Sequence, residues 1–254
     1  MQAKYSDNVA CLKPTNEDAK IWRYMNFTKF VSLLDKNAVF FCRSDKLGDP
    51  FEGSYSQANI RRRPIVYQNK IPSGALRTFS VTAEEIRRFI IINCWSLSEC
   101  ESAALWKLYT KNNEGIAIQS TFKRLKQCFA STATEHVFIS KVKYINYKRD
   151  WLPEGSLFFP FVHKRESFEH EHELRAFIMK HPKPQENGKI NFKTAPNVFG
   201  NGEFVDVDLN TLIEKVFISP DAQDWFKDLV TSALQKYKYR ITPVRSDLND
   251  APVY

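Results

Sequence analysis

The chain has 254 residues, of which 43% are hydrophobic and 14% are aromatic. This composition excludes a disordered chain and provides side chains for a sizeable core. No run approaches the ~20 apolar residues of a membrane-spanning helix, and the polar first residues lead into no apolar signal segment. The five cysteines are scattered without C-x-x-C spacing, which indicates reduced thiols rather than disulfides or a zinc ribbon. We therefore expect a cytoplasmic protein with no membrane partner.

The formal net charge is +8, which favours anionic partners such as nucleotides or nucleic acid. An ordinary solvated surface gives the same excess, because net charge bears on association and not on fold.

The first third of the chain predicts a strand, a helix and a second strand, followed by a polar loop. Residues 21–25 are β-prone, and Asn26 or Thr28 can cap a helix that runs to about residue 35. Residues 38–43 form the second strand and residues 44–53 the loop. The apolar positions with helical spacing are Phe27, Phe30, Val31 and Leu34.

Further along the chain, the patterns predict alternating strands and helices without a linker or an internal repeat. Residues 54–80 give no clear pattern. The predicted elements are a short helix at 82–88, a strand at 89–95, a helix at 99–109 capped by Ser96 or Ser98, a turn at 112–115, a strand at 115–119, a helix at 121–130, strands at 137–147 and 172–180, a hairpin turn at 186–189, a strand at 215–219, a helix to about 237 with Ser219 as cap and Pro220 as first residue, and a strand at 239–244. We predict one α+β domain over residues 1–254, with a mixed β-sheet core and flanking helices.

A loop after the second strand carries the first group of candidate site residues. Asp45, Asp49 and Glu52 lie there with two glycines, and loops at strand ends are common places for binding groups. Turn chemistry is the alternative, because Asp-Pro and Gly form turns by themselves.

The second group follows the strand at 89–95. Ser96 at a strand end before a helix would direct hydroxyl and N–H groups at an anion, although a serine cap needs no ligand. Trp106 and Tyr109, three residues apart, are either core residues or a stacking surface.

The third group lies between Lys164 and residue 178. If residues 171–178 form a strand, Glu171, Glu173 and Arg175 share one face. Two carboxylates in that position need a balancing cation, which Arg175 provides. The residues predicted on the opposite face are His172, Leu174, Ala176 and Ile178.

Two weaker patterns also concern ligands. His163, His170 and His172 lie among glutamates, but their spacing fits no zinc signature. Basic and aromatic residues alternate at 141–151 and 236–240, as on surfaces that bind single-stranded nucleic acid and on ordinary amphipathic strands.

The order of these motifs resembles a widespread bacterial family that is known only as a domain of unknown function. The shared features are Trp22-Arg23-Tyr24, the Asp-Pro-x-Glu loop that ends at Glu52, the block from Cys94 to Tyr109, and Lys164 followed by Phe-x-x-Glu-x-Glu-x-Arg. The resemblance covers nearly the whole chain and implies no established reaction, and the family's bacterial, mobile-element character points to a toxin or phage-defence effector.

More distantly, the chain resembles ADP-ribosyltransferases of the Arg-Ser-Glu class. Arg23, Ser96 and the pair Glu171 and Glu173 fall in the order of that class, although Ser-Leu-Ser replaces its Ser-Thr-Ser. The resemblance implies that Arg23 holds NAD and that Ser96 shapes the nicotinamide pocket. It implies that Glu173 stabilises an oxocarbenium-like transition state and that Glu171 positions the acceptor. The further candidates for binding NAD are Tyr24 and Arg175.

Two other functions remain open at this stage. A metal-dependent nuclease or nucleic-acid-binding module would use Asp45, Asp49 and Glu52 with the glutamates as Mg²⁺ ligands. A non-catalytic interaction domain would use none of these. Convergence of Arg23, Ser96 and Glu173 favours the transferase, whereas convergence of Asp49 and Glu52 with Glu171 and no arginine favours the nuclease.

Overall fold

A computed structural model describes residues 1–110, 113–180, 200–250 and 252–253. Helices account for 33% and strands for 27% of the protein, which confirms the α+β class with one main mixed sheet and flanking helices. The hairpin turn predicted at 186–189 lies outside the described residues, as does residue 112 of the turn predicted at 112–115. Among the described residues, no helix has the length and apolar character to cross a membrane.

Ten strands of the described chain form one mixed sheet, and two short strands pair beside it. The strands are β1 (Ala3–Tyr5), β2 (Lys20–Asn26), β3 (Ala38–Arg43), β4 (Ile90–Leu97), β5 (Gly115–Thr121), β6 (Glu135–Lys141), β7 (Lys143–Ile145), β8 (His163–Arg165), β9 (Glu173–Met179), β10 (Gly202–Asp206), β11 (Lys215–Ile218) and β12 (Val244–Arg245). The order in the main sheet is β1-β6-β9-β4-β2-β5-β11-β12, while β3 pairs with both β4 and β10. The separate pair is β7 with β8.

The α-helices of the described residues flank the sheet. They are α1 (Phe27–Lys36), α2 (Gln57–Val66), α3 (Ser73–Ile86), α4 (Ala103–Tyr109), α5 (Phe122–Gln127), α6 (Leu209–Leu212) and α7 (Asp224–Lys236). The start predicted for α1 is confirmed: the Asn26 side chain accepts a hydrogen bond from the Lys29 N–H, and the helix ends at Asn37 in a left-handed conformation.

Several predicted boundaries are wrong. The unpatterned residues 54–80 contain α2 and most of α3, while 137–147 holds two strands instead of one. Helix α4 is capped by Ser102 rather than by Ser96 or Ser98. Strand β4 extends past Ser96, since the Leu97 N–H donates to the His172 carbonyl oxygen and the Ser98 N–H to the Lys20 carbonyl oxygen. Helix α7 begins at Asp224 rather than at Pro220, and the closing strand at 239–244 is reduced to β12.

The two faces of the sheet differ in character. Leu174, Ala176 and Ile178 of β9 lie in the main hydrophobic core, as their alternation predicts. On the opposite face, Phe177 packs in a smaller apolar cluster. Arg175 and Glu173 continue that face toward the start of the strand, so charged groups replace apolar ones there.

The sheet divides beside β4. Ser96 and Leu97 pair with β2, whereas Ile91 and Ile92 pair with β3. Strands β2 and β3 therefore separate opposite residues 93–95, and the side chain of Asn93 donates to the Phe40 carbonyl oxygen at 2.8 Å. This division leaves room for a side chain from β2.

The conformation of the loop from Gly48 to Gly53 requires a glycine at its last position. Gly53 has a φ of +70°, and a Cβ there would lie 2.8 Å from the Arg87 side chain and also against Phe161. We expect Gly53→Ala to lower the free energy of unfolding by roughly 2–4 kcal/mol, because backbone strain and overpacking combine. Urea denaturation measures this change.

Two other glycines are controls for that substitution. Gly48 has a φ of +91° and open space around it, and Gly155 has open space and no positive φ. Gly48→Ala should cost about 1 kcal/mol, and Gly155→Ala should cost almost nothing. Equal effects at all three positions would contradict this account of the loop.

Candidate functional site

Arg175 is the centre of a buried charge cluster at the start of β9, with 0% of its surface exposed. Its Nε and Nη2 donate to Glu173 at 2.8 and 3.1 Å, and Nη2 also donates to Glu52 Oε2 at 2.8 Å. Nη1 donates to Glu52 Oε1 and, at 2.7 Å, to the Phe161 carbonyl oxygen. These bonds use all five guanidinium N–H groups, so Arg175 has none left for NAD.

Lys164 adds a second cation to the cluster. Its ammonium donates to Glu171 Oε2 and, at 3.2 Å, to Glu173 Oε2. We call Glu52, Lys164, Glu171, Glu173 and Arg175 the β9 charge cluster. It contains three carboxylates and two cations, and the pair formed by Arg175 and Lys164 lowers the pKa of Glu173 to about 2 despite burial.

The position of Glu171 in the cluster does not follow from the alternation of side chains along a strand. A strand over 171–178 is wrong in its first two residues, because Glu171 ends a 3-10 turn and His172 has a left-handed φ of 44°. His172 is exposed instead of facing the core. The left-handed residue brings Glu171 and Glu173 to the same ammonium. Arg175 balances Glu173 as predicted, but the cation beside Glu171 is Lys164 and not Arg175.

The three acids of the 43–53 loop do not converge. Each pairs with a different arginine: Asp45 with Arg43 at 2.7 Å, Asp49 with Arg165 at 2.8 Å and Glu52 with Arg175. The loop is also a turn, since the Asp49 side chain accepts the Phe51 N–H at 3.0 Å. Glu52 is therefore part of the cluster, whereas Asp45 lies outside it and Asp49 forms a separate ion pair.

Three further side chains border Glu173. Cys94 lies opposite Arg175 in the β4–β9 register, and burial, with Glu173 nearby, raises the pKa of its thiol well above its usual value. The Tyr144 hydroxyl accepts the Glu173 N–H at 2.8 Å. Tyr109 is 49% exposed, and burial of its hydroxyl, with Glu171 nearby, raises its pKa to about 12.

Sequence reasoning missed Cys94 and Tyr144. The signal for Cys94 was available, since it shares a strand face with Ser96 and lies opposite Arg175 in the β4–β9 register. No comparable signal marks Tyr144, because it reaches Glu173 from the separate β7–β8 pair.

The Arg23 side chain lies where strands β2 and β3 separate. Its Nη2 lies 3.4 Å from the Phe40 carbonyl oxygen, and its guanidinium carbon lies 5.9 Å from the Trp95 ring centre. Its Nη1 is buried without a hydrogen-bond partner in the described chain. Burial lowers the pKa of Arg23 to about 10, so it stays charged at neutral pH, and Cys94 and Tyr109 lie close enough to act on it electrostatically.

Ser96 joins the two regions, but not as a helix cap. It pairs with Trp22 of β2 on one side and with Glu173 of β9 on the other. Arg23, Ser96 and Glu173 therefore lie on three consecutive strands. The residue opposite Ser96 is Trp22, however, so alternation directs the Arg23 side chain to the other face of the sheet from Ser96 and Glu173. The prediction that Ser96 ends its strand and begins a helix is wrong, because β4 continues to Leu97.

Two aromatic candidates have structural roles. Trp106 is buried and packs edge-on against Tyr24, with ring centres 5.1 Å apart. The Tyr24 hydroxyl accepts the Ser102 N–H at 2.8 Å. Both residues hold α4 on the sheet, so the structure places Trp106 in the core rather than on a stacking surface, and Tyr24 beneath α4 rather than against a cofactor.

His163, His170 and His172 do not come together as a metal site. His163 is buried, with Nδ1 2.7 Å from the Phe159 carbonyl oxygen, while His170 and His172 are exposed. In the part of the chain that the structure describes, no three His, Cys, Asp or Glu side chains are arranged to hold a metal ion.

The basic and aromatic segments are divided between surface and interior. Tyr147 is buried and contacts Phe51 edge-on, with ring centres 5.6 Å apart. Tyr237 and Tyr239 bond to Asp35 and Asn37, at 3.2 and 2.9 Å. These rings are occupied within the fold, so the segments present exposed lysines and arginines without a set of free rings.

A surface hollow lies away from the cluster. It has a volume of about 510 Å³ between the end of α2 and the start of α3, and none of the cluster residues lines it. The β9 charge cluster and the Arg23 position are defined by their contacts, not by this cavity.

No protein family, characterised protein or solved structure matches the chain significantly. The resemblances to the bacterial family and to ADP-ribosyltransferases therefore stay predictions.

Removal of the central cation tests how the cluster is held. Arg175→Met leaves Glu52 and Glu173 buried without their main cation, so we expect a loss of about 3–5 kcal/mol in the free energy of unfolding. Urea denaturation at pH 7 measures it. Arg245→Met is the matched control, because Arg245 pairs with the exposed Asp224 at the surface. A loss under ~1 kcal/mol for Arg175→Met would contradict the central role of this residue.

Proposed function

We propose that the protein transfers the ADP-ribosyl group of NAD, or a related group of a nucleotide, at the β9 charge cluster. The observation that carries the proposal is the Nη1 of Arg23, which is buried and has no hydrogen-bond partner among the described residues. It belongs to a strand two places away from that of the ionised Glu173. An unpaired buried donor is costly, and an acceptor atom of a bound nucleotide would satisfy it.

The electrostatics suit cleavage of a glycosidic bond. Loss of nicotinamide develops positive charge on the ribose, and a carboxylate that is already ionised and fixed stabilises this charge without reorganising. Glu173 is such a group, since Arg175 and Lys164 hold both of its oxygens.

Glu171 has a different task in the same reaction. It is more exposed than Glu173, at 16% against 5%. It therefore meets an incoming acceptor first and takes its proton. Tyr109, which is half exposed, borders the same approach.

The negative charge of NAD suits the position of Arg23. Its pyrophosphate is anionic, Arg23 stays protonated, and the chain carries a net charge of +8. Arg23 holds the phosphates or the ribose, and Ser96 lies on β4, the strand between those of Arg23 and Glu173. The five cysteines are free thiols, which suits a reducing compartment, and we include a cytoplasmic location in the proposal.

No observation favours the nuclease to the same degree. The loop acids that it needs as Mg²⁺ ligands do not converge, since each lies beside a different arginine, whereas ligands of one ion must surround one point.

Glu173→Gln tests the proposal. The amide keeps the shape of the side chain but not its charge, so we expect nicotinamide release from NAD to fall about 100-fold or more. Chromatography of the released nicotinamide measures the rate, and circular dichroism verifies folding. Glu214→Gln is the matched control, since Glu214 also pairs with a lysine, Lys20 at 2.7 Å, outside the cluster.

Arg23→Gln extends the same test to binding. Loss of a charged hydrogen bond should weaken NAD binding about 10-fold, as measured by calorimetry.

NAD cleavage that persists within ~3-fold in folded Glu173→Gln would overturn the assigned chemistry.

A further inference from the structure

The lysine of the cluster sets the kind of acceptor that the reaction can use. Lys164 is 11% exposed, and its ammonium contacts both Glu171 and Glu173. The Phe168 ring covers another side of the ammonium, 4.5 Å from Nζ to the ring centre. The ammonium is therefore held in place between the two carboxylates.

Arg175 does not compensate Glu171. All its N–H groups are taken by Glu52, Glu173 and the Phe161 carbonyl oxygen. In the described part of the chain, Lys164 is the cation that the structure pairs with Glu171. The Lys164 ammonium thus already occupies one oxygen of Glu171 before any acceptor arrives.

The surroundings of Glu171 disfavour a cationic acceptor. A guanidinium or ammonium would have to compete with the Lys164 ammonium for the Glu171 carboxylate, and it would approach within a few ångströms of that ammonium, where like charges repel. Tyr109, the exposed neighbour, stays a neutral phenol, since its pKa is raised to about 12. An uncharged O–H group meets neither obstacle.

We propose that the acceptor is a neutral hydroxyl nucleophile, either an alcohol or water, and not a guanidinium or an amine cation. This inference rests on the proposed function and names the acceptor class for that same site. The acceptor oxygen forms a bond to the ribose C1′, the C1′–N bond breaks, and nicotinamide leaves with the electron pair. The acceptor proton passes to the Glu171 carboxylate, which accepts it as a general base.

The test measures how one activated ribose partitions between acceptors. The full-length protein is incubated with NAD, with methanol and agmatine at equal concentrations as the hydroxyl and guanidinium probes, and mass spectrometry quantifies the products. We expect ADP-ribose and its methyl glycoside to exceed the agmatine adduct at least 10-fold. Lys164→Met should raise the ratio of agmatine adduct to methyl glycoside about 10-fold, whereas Lys164→Arg, which keeps the charge, should preserve it.

Lys20→Met is the matched control, because Lys20 pairs with Glu214 away from the cluster, and it should leave the ratio unchanged. The wild-type ratio tests the inference even when Lys164→Met fails to fold. An agmatine adduct equal to the methyl glycoside in the wild-type protein overturns the inference while the proposed function stands, as does an unchanged ratio in folded Lys164→Met. Absence of nicotinamide release from the folded wild-type protein overturns the proposed function, and the inference with it.

Discussion

The buried guanidinium of Arg175 ties together three segments that are distant in sequence. It binds the 48–53 loop through Glu52, the segment before β8 through the Phe161 carbonyl oxygen, and the start of β9 through Glu173. A buried ion pair contributes little more to stability than apolar packing of the same volume. Its effect here is on position and charge, because it fixes an ionised Glu173 next to β4.

Local patterns predicted much of the fold. The period-2 alternation of β9 and the asparagine cap of α1 depend on interactions within a few residues, and the structure confirms both. Boundaries set by neighbouring strands could not be read in this way. Strand β4 extends past Ser96 because the His172 and Lys20 carbonyl oxygens accept the N–H groups of Leu97 and Ser98. No local sequence signal indicates such long-range bonds.

The charge cluster was predictable in membership but not in geometry. The sequence marks Glu173 and Arg175 as a compensated pair on one strand face. It does not show that Glu52 meets Arg175 from 123 positions away, or that left-handed His172 turns Glu171 toward Lys164. Likewise, it does not show that β2 and β3 separate opposite residues 93–95, or that the buried Nη1 of Arg23 has no partner among the described residues.

Together these contacts give the two glutamates different properties. Glu173 is buried and held by two cations, whereas Glu171 is more exposed and shares one of them. Carboxylates in unequal surroundings can take unequal roles in one reaction. In the proposed transferase, Glu173 stabilises the ribose and Glu171 receives the acceptor proton.

The ionisation of Glu173 is the central claim, and carboxyl ¹³C NMR of glutamate-labelled protein tests it most directly, with the resonance assigned by its loss in Glu173→Gln. Because Arg175 and Lys164 favour the charged form, we predict that the signal keeps its ionised shift until the pH falls toward the pKa of about 2. A midpoint at or above ~4.3, the ordinary value for glutamate, in the folded protein would contradict the account.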